Sequence, residues 1–208
     1  MPPTQSPPLL AAEQADDTAA AVLLSQYRDT VEEMVARTRD SGDEQAVSLF
    51  GPDRDSLEAT GFRSGSSKTV MAVNPPGSPT PPTVIQMHSH PPPAPVSFSV
   101  QDVRVFVGSV LDGPRDSGDR SAFAVVGQRG GEVRRGTAYI HTLEPAGSYL
   151  SLPRSEQRAV RERVQQVESH PTRRAIQLDG DPNSVLDALA AHVRYDRRRF
   201  STRGSRQN

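Results

Sequence analysis

Cysteine is absent from this 208-residue chain. That excludes disulfides, thiolate zinc sites and a cysteine nucleophile, and leaves the redox compartment open. Apolar residues are scarce at 34%, and prolines number 19, so several segments are expected to lie outside the packed part. Neither sign of charge is in excess. With a net charge of −1, composition makes no global case for nucleic acid or an acidic substrate. No apolar run approaches the ~20 residues a membrane span needs. The N-terminus has no basic stretch followed by an apolar one and carries Glu13, Asp16 and Asp17 instead, which makes the cytoplasm the default expectation. Internal repeats, a GxxxxGKS/T phosphate loop, a GxGxxG turn and a GxSxG elbow are also missing.

What remains is enough chain for one domain of ordinary size plus tails, organised around the stretch from Val84 to Asp102. The β-branched and apolar run Thr83, Val84, Ile85 and Met87 reads as a strand delivering His88 and His90. In an extended chain that spacing puts both imidazoles on one face. After a proline-rich passage come Ser99 and Asp102, then Val103, Phe106, Val107 and Val110 at helical spacing, which places Asp102 in a first helical turn. Two imidazoles and one carboxylate, with a position open for water, form the ligand set of a catalytic zinc.

His88-Ser89-His90-Pro91 followed by Ser99-x-x-Asp102 resembles the signature of the JAMM (MPN-type) metalloproteases. That family also has an upstream glutamate on a strand that ends in glycine, and Glu44-Gln45-Ala46-Val47-Ser48-Leu49-Phe50-Gly51 fits the pattern. The loop between Pro91 and Ser99 is one residue longer than the family's usual. The Pro92-Pro93-Ala94-Pro95 segment is expected to absorb the difference, since loops tolerate insertion. The resemblance implies a single α/β domain of cytidine-deaminase-like architecture. It would have a curved mixed sheet from segments near residues 44, 70, 84, 122 and 136, flanked by helices.

Along the chain, residues 1–16 read as a proline-rich disordered leader. A helix is expected from an Asp17 cap to Ser41-Gly42, with Leu23, Leu24, Tyr27, Val31, Met34 and Val35 on its apolar stripe. Glu44 then sits at the head of a strand buried on both faces. Glu58 is a rival carboxylate, but no strand-to-glycine pattern surrounds it and it is expected at the surface. Residues 69–73 read as a strand and 74–82 as a polyproline linker. Strands over 121–127 and 133–143 are joined across Arg129-Gly130-Gly131 as a hairpin. His141 lies in the second and is expected to be a packed strand histidine. The core domain is placed at 17–150. Residues 151–200 are expected to be helices packed outside it, one over 155–168 and one opening at Asp181-Pro182 with Val185, Leu186, Leu189 and Val193 as its buried edge. Residues 201–208 form a polar basic tail. Arg197-Arg198-Arg199 is read as a solvated helix face.

Amide hydrolysis at neutral pH needs a nucleophile stronger than water, and zinc on His88, His90 and Asp102 lowers a bound water's pKa toward ~7. Glu44 is the expected general base and acid, and Ser99 the expected donor to the developing oxyanion. The resemblance implies a zinc peptidase cutting the isopeptide or C-terminal peptide bond after a ubiquitin-like modifier's tail, with that modifier or its conjugate as partner. No membrane partner is expected. The rival readings are a catalytically silent MPN-type scaffold, a RadC-like protein acting on nucleic acid, and a phage-tail-type peptidase cutting short peptides.

Overall fold

The described residues begin with two helices, α1 (Ala19–Gln26) and α2 (Arg28–Ser41). The computed structural model describes residues 18–52, 56–66, 70, 83–92, 98–111, 122–128, 136–168 and 191–202. The expected cap Asp17 falls outside these, and Thr18 caps α1 by accepting from the Ala21 N–H at 3.3 Å. The Ala19 N–H donates to Glu144 at 2.6 Å, a carboxylate placed where the helix dipole favours it. The single helix expected up to Ser41 is instead broken at Tyr27 (φ −117°, ψ 25°). There the tyrosine hydroxyl donates to the Leu57 carbonyl and accepts from the Leu57 N–H, both at 2.9 Å. Gly42, at φ +75°, closes α2 in the left-handed conformation that glycine adopts without strain.

Among the described residues seven strands follow: β1 (Gln45–Phe50), β2 (Glu58–Ala59), β3 (Arg63–Ser64), β4 (Thr83–His90), β5 (Ala122–Gly127), β6 (Thr137–Pro145) and β7 (Val193–Ser201). They form one open mixed sheet in the order β2-β1-β4-β5-β6-β7, with β3 also on β1. Only β4 and β5 are parallel. Their connection carries α3 (Val100–Phe106), which runs on as a π-helical turn over Val107–Leu111. Among the described residues, two further helices, α4 (Gly147–Leu150) and α5 (Arg154–Glu168), lie between β6 and β7.

Side-chain alternation along the strands sorts the sheet into two faces. On one, Val47, Leu49, Ile85, Ala124 and Ile140 pack with Leu23, Val31 and Met34 of α1 and α2. On the other, Phe123, Val125 and Leu143 pack with Val103, Phe106, Val110 and Tyr149. The fold is thus mixed α/β, a sheet flanked by helices. No described helix is long and apolar enough to cross a membrane.

The C-terminal expectation is corrected. Val193 does not close a helix; it opens β7, which pairs with β6 over nine residues from Val193↔Pro145 to Ser201↔Thr137. Helical reading failed because arginines dominate both faces of this strand. Long aliphatic stems with charged ends suit an edge strand as well as a helix surface. The segment from Asp181 to Leu189 lies outside the described residues, as do the leader, the 74–82 linker and the strand expected over 69–73 apart from Val70, which belongs to no element.

A buried hydroxyl ties these layers together behind the histidines. Ser89 Oγ accepts from the Gln45 N–H at 2.9 Å and shares a hydrogen bond with Thr38 Oγ1 of α2. Ser89→Ala leaves that Gln45 donor buried and unsatisfied, at a cost of about 1–3 kcal/mol. Urea unfolding should show a lower midpoint with an unchanged m value.

Candidate metal centre

Three elements converge at the C-terminal end of β4. His88 and His90 point to the same face, and their ring centroids are 4.9 Å apart. Their Nε2 atoms lie 3.0 Å from each other. Asp102, in the first turn of α3, brings Oδ1 to 3.1 Å from His88 Nε2 and Oδ2 to 3.4 Å from His90 Nε2. All three residues are buried. Donor atoms ~2.0–2.2 Å from a common ion in tetrahedral array stand about 3.3 Å apart. One ligand atom from each of the three residues lies within 4.8 Å of the other two, and the group could hold a metal ion.

Local chemistry explains why Asp102 is so well placed. The Ser99 N–H donates to Asp102 Oδ2 at 2.6 Å, while the Asp102 N–H donates to Ser99 Oγ at 3.2 Å. Two orphan donors at the helix start are satisfied reciprocally, in the manner of a capping box. The three-residue spacing thus fixes the carboxylate before any ion is involved.

Glu44 immediately precedes β1. Its N–H donates to the Ser66 carbonyl and its carbonyl accepts from the Gly65 N–H, both at 2.9 Å. Ala46 is in register with His88, and Glu44, two residues back, lies on the same face as Ala46. The antiparallel run of β1 against β4 therefore brings Glu44 alongside His90. Burial pushes the Glu44 carboxyl above the usual carboxylate range, and nearby Asp102 adds to this, although the two imidazoles pull the other way. Asp102 responds in the opposite sense. Burial would raise it, but hydrogen bonds to His88 and His90 and their charge outweigh that and hold it far below the ordinary range. One carboxylate is thus kept ionised for ligation and the other is made more basic, a division of labour that acid–base chemistry uses.

The remaining candidates behave as packed or surface residues. His141 is buried, and its Nδ1 is 2.7 Å from Tyr195 Oη. Its ring meets Phe98 edge-on. Glu58 is exposed on β2. Sequence reasoning missed two contributors to the site: Phe123, whose ring lies 5.3 Å from that of His88, and the Thr38–Ser89–Gln45 bonds behind the histidines. Only Ser89 carried a signal, its place between the two ligands. Among the described residues a depression lined by Val35, Thr38, Ser89 and Val126, on the α2 side behind the histidines, has a volume of about 10 Å³. That is room for roughly one water.

No family model, no curated protein and no solved structure matches this chain.

Isothermal titration of the metal-free protein with Zn²⁺ should give one equivalent bound and a raised melting temperature; at a hundredfold excess over Kd the gain is about 2.7 kcal/mol. His88→Ala, His90→Ala and Asp102→Ala should each abolish the thermal shift. Because metal ligands must be deprotonated to bind, affinity should fall as the pH is lowered. Glu44 supplies a separate check. Its raised carboxyl binds a proton more tightly folded than unfolded, so its ionisation costs stability as pH rises through that window. Glu44→Gln should therefore stabilise the metal-free protein at neutral pH, with the gain vanishing at acid pH.

Proposed function

We propose that this chain is a zinc-dependent peptidase of the JAMM type, acting in the cytoplasm on the peptide or isopeptide bond after the C-terminal tail of a ubiquitin-like modifier. The observation that carries the reading is the mutual spacing of 3.0, 3.1 and 3.4 Å among His88, His90 and Asp102, with a carboxyl of raised pKa at Glu44 beside them.

His88, His90 and Asp102 would hold the zinc. Once bound, the ion would supply a Lewis acid and a water of lowered pKa, ~7. Glu44 is not one of the three ligands and is free to take the attacking water's proton on a carboxylate oxygen and return it to the leaving amine. Its raised pKa makes it the stronger base. Ser99 is exposed at the start of α3. Its Oγ accepts from the Asp102 N–H, which leaves the hydroxyl proton to donate to the carbonyl oxygen as negative charge grows there. Capping and oxyanion stabilisation thus use different halves of one hydroxyl. Pro91 fixes its own φ and biases His90 toward an extended backbone, which holds the second ligand in place.

The test is zinc content and turnover measured together, on a panel of ubiquitin-like fusions. Glu44→Gln should keep stoichiometric zinc and lose hydrolysis. Ser99→Ala should keep zinc and slow kcat by about 10²–10³. A zinc-loaded chain that cleaves no fusion, or a Glu44→Gln variant of undiminished turnover, would overturn the reading.

A further inference from the structure

Cross-strand register carries the face of the metal centre out to the edge of the sheet. His88 is opposite Val125, Val125 opposite His141, and His141 opposite Arg197. In the parallel row, His90, Gly127, Tyr139 and Arg199 line up in the same way. Partners in register share a face, so Arg197 and Arg199 belong to the side that bears the imidazoles. Three strand spacings put them ~14 Å from the ligands.

Both arginines are exposed. Arg197 lies over the Tyr139 ring, 5.1 Å from its centroid, and among the described residues neither it nor Arg199 has an ion pair. The strand's one carboxylate, Asp196, faces the other side and is held there by Arg198 at 2.9 Å and by Thr18 at 2.8 Å. Tyr195, 37% exposed and the one exposed large hydrophobic side chain among the described residues, shares the face with the two arginines. Charge at a sheet edge discourages pairing with other chains. That purpose is served from either face and does not account for two arginines with no ion pair among the described residues and an exposed tyrosine gathered on the metal side.

We propose that Arg197 and Arg199 form a docking row for an acidic segment of the polypeptide substrate whose scissile bond lies at the metal centre, an inference that rests on the peptidase reading. An extended chain advances ~3.4 Å per residue, so the acidic side chains stand about four residues from the scissile bond. The planar guanidinium fork matches a carboxylate. A phosphodiester strand would meet the same two charges, but a chain of net charge −1 offers a polyanion no wider attractive field. A short acidic segment needs only the local pair.

Fluorescence anisotropy of the full-length, zinc-loaded chain tests this with three labelled probes: a ten-residue peptide with an Asp/Glu block, its Asn/Gln counterpart, and a ten-nucleotide oligo-dT. The acidic peptide should bind more tightly than the neutral one. The Arg197→Gln/Arg199→Gln double variant should weaken it about tenfold, while Arg194→Gln, on the opposite face, leaves it unchanged. With Co²⁺ in place of zinc, paramagnetic broadening of the bound peptide's amide signals should be strongest about four residues from the acidic block. Equal affinity for the acidic and neutral peptides, no effect of the double variant, or no broadening overturns the proposal. Preferential loss of oligo-dT binding reassigns the row to nucleic acid and overturns it too. Should the double variant unfold, the peptide comparison and the broadening on the native chain still decide. The peptidase reading fails separately: no fusion is hydrolysed while the acidic peptide still binds through the row.

Discussion

The antiparallel register of β1 against β4 is the constraint on which the candidate site depends. Ala46 opposite His88 puts Glu44 and both imidazoles on one face. A slip of one residue would turn every side chain of one strand to the other side. The register is held from behind as well as by the ladder. Ser89, between the two histidines, points away from them and fastens Gln45 and Thr38. The hydroxyl that contributes nothing to coordination thus fixes the distance between the ligand strand and the carboxylate that faces it.

Burial sets the chemistry of the group once the register is in place. Four titratable side chains, Glu44, His88, His90 and Asp102, are each 7% exposed. In a medium of low dielectric, such a cluster is tolerable only when its charges compensate. Asp102 achieves this through its helix cap and the imidazoles, while Glu44 does so by holding its proton more tightly.

Much of this was readable from the amino acids, and what was not has a common cause. The histidine pair on a strand, the aspartate in a first helical turn, the β5–β6 hairpin and the glycine stop after α2 all rest on spacing within a few residues. The helix break at Tyr27 depends on a hydroxyl reaching Leu57, thirty positions away, and no local pattern encodes it. β7 escaped for the same reason. Its strand character comes from a ladder to β6 across about fifty residues of chain, whereas its arginine-rich composition is compatible with either regular structure. Thr38 gave no hint of its tie to Ser89, because a threonine on a helix stripe ordinarily reads as filler. The capping of Ser99 by Asp102 was half visible. Its spacing was plain, but the reciprocity of the two bonds needed coordinates.

The single parallel pairing among the described strands, β4 beside β5, has a kinetic corollary. Parallel neighbours need a long crossover, and here the crossover is the segment that carries Asp102. Asp102 cannot meet the two histidines until that excursion has closed on the sheet, and such non-local closure comes late and slowly in folding. An ion captured at this junction would therefore hold the finished protein shut by slowing its opening, and would do little to hasten its assembly.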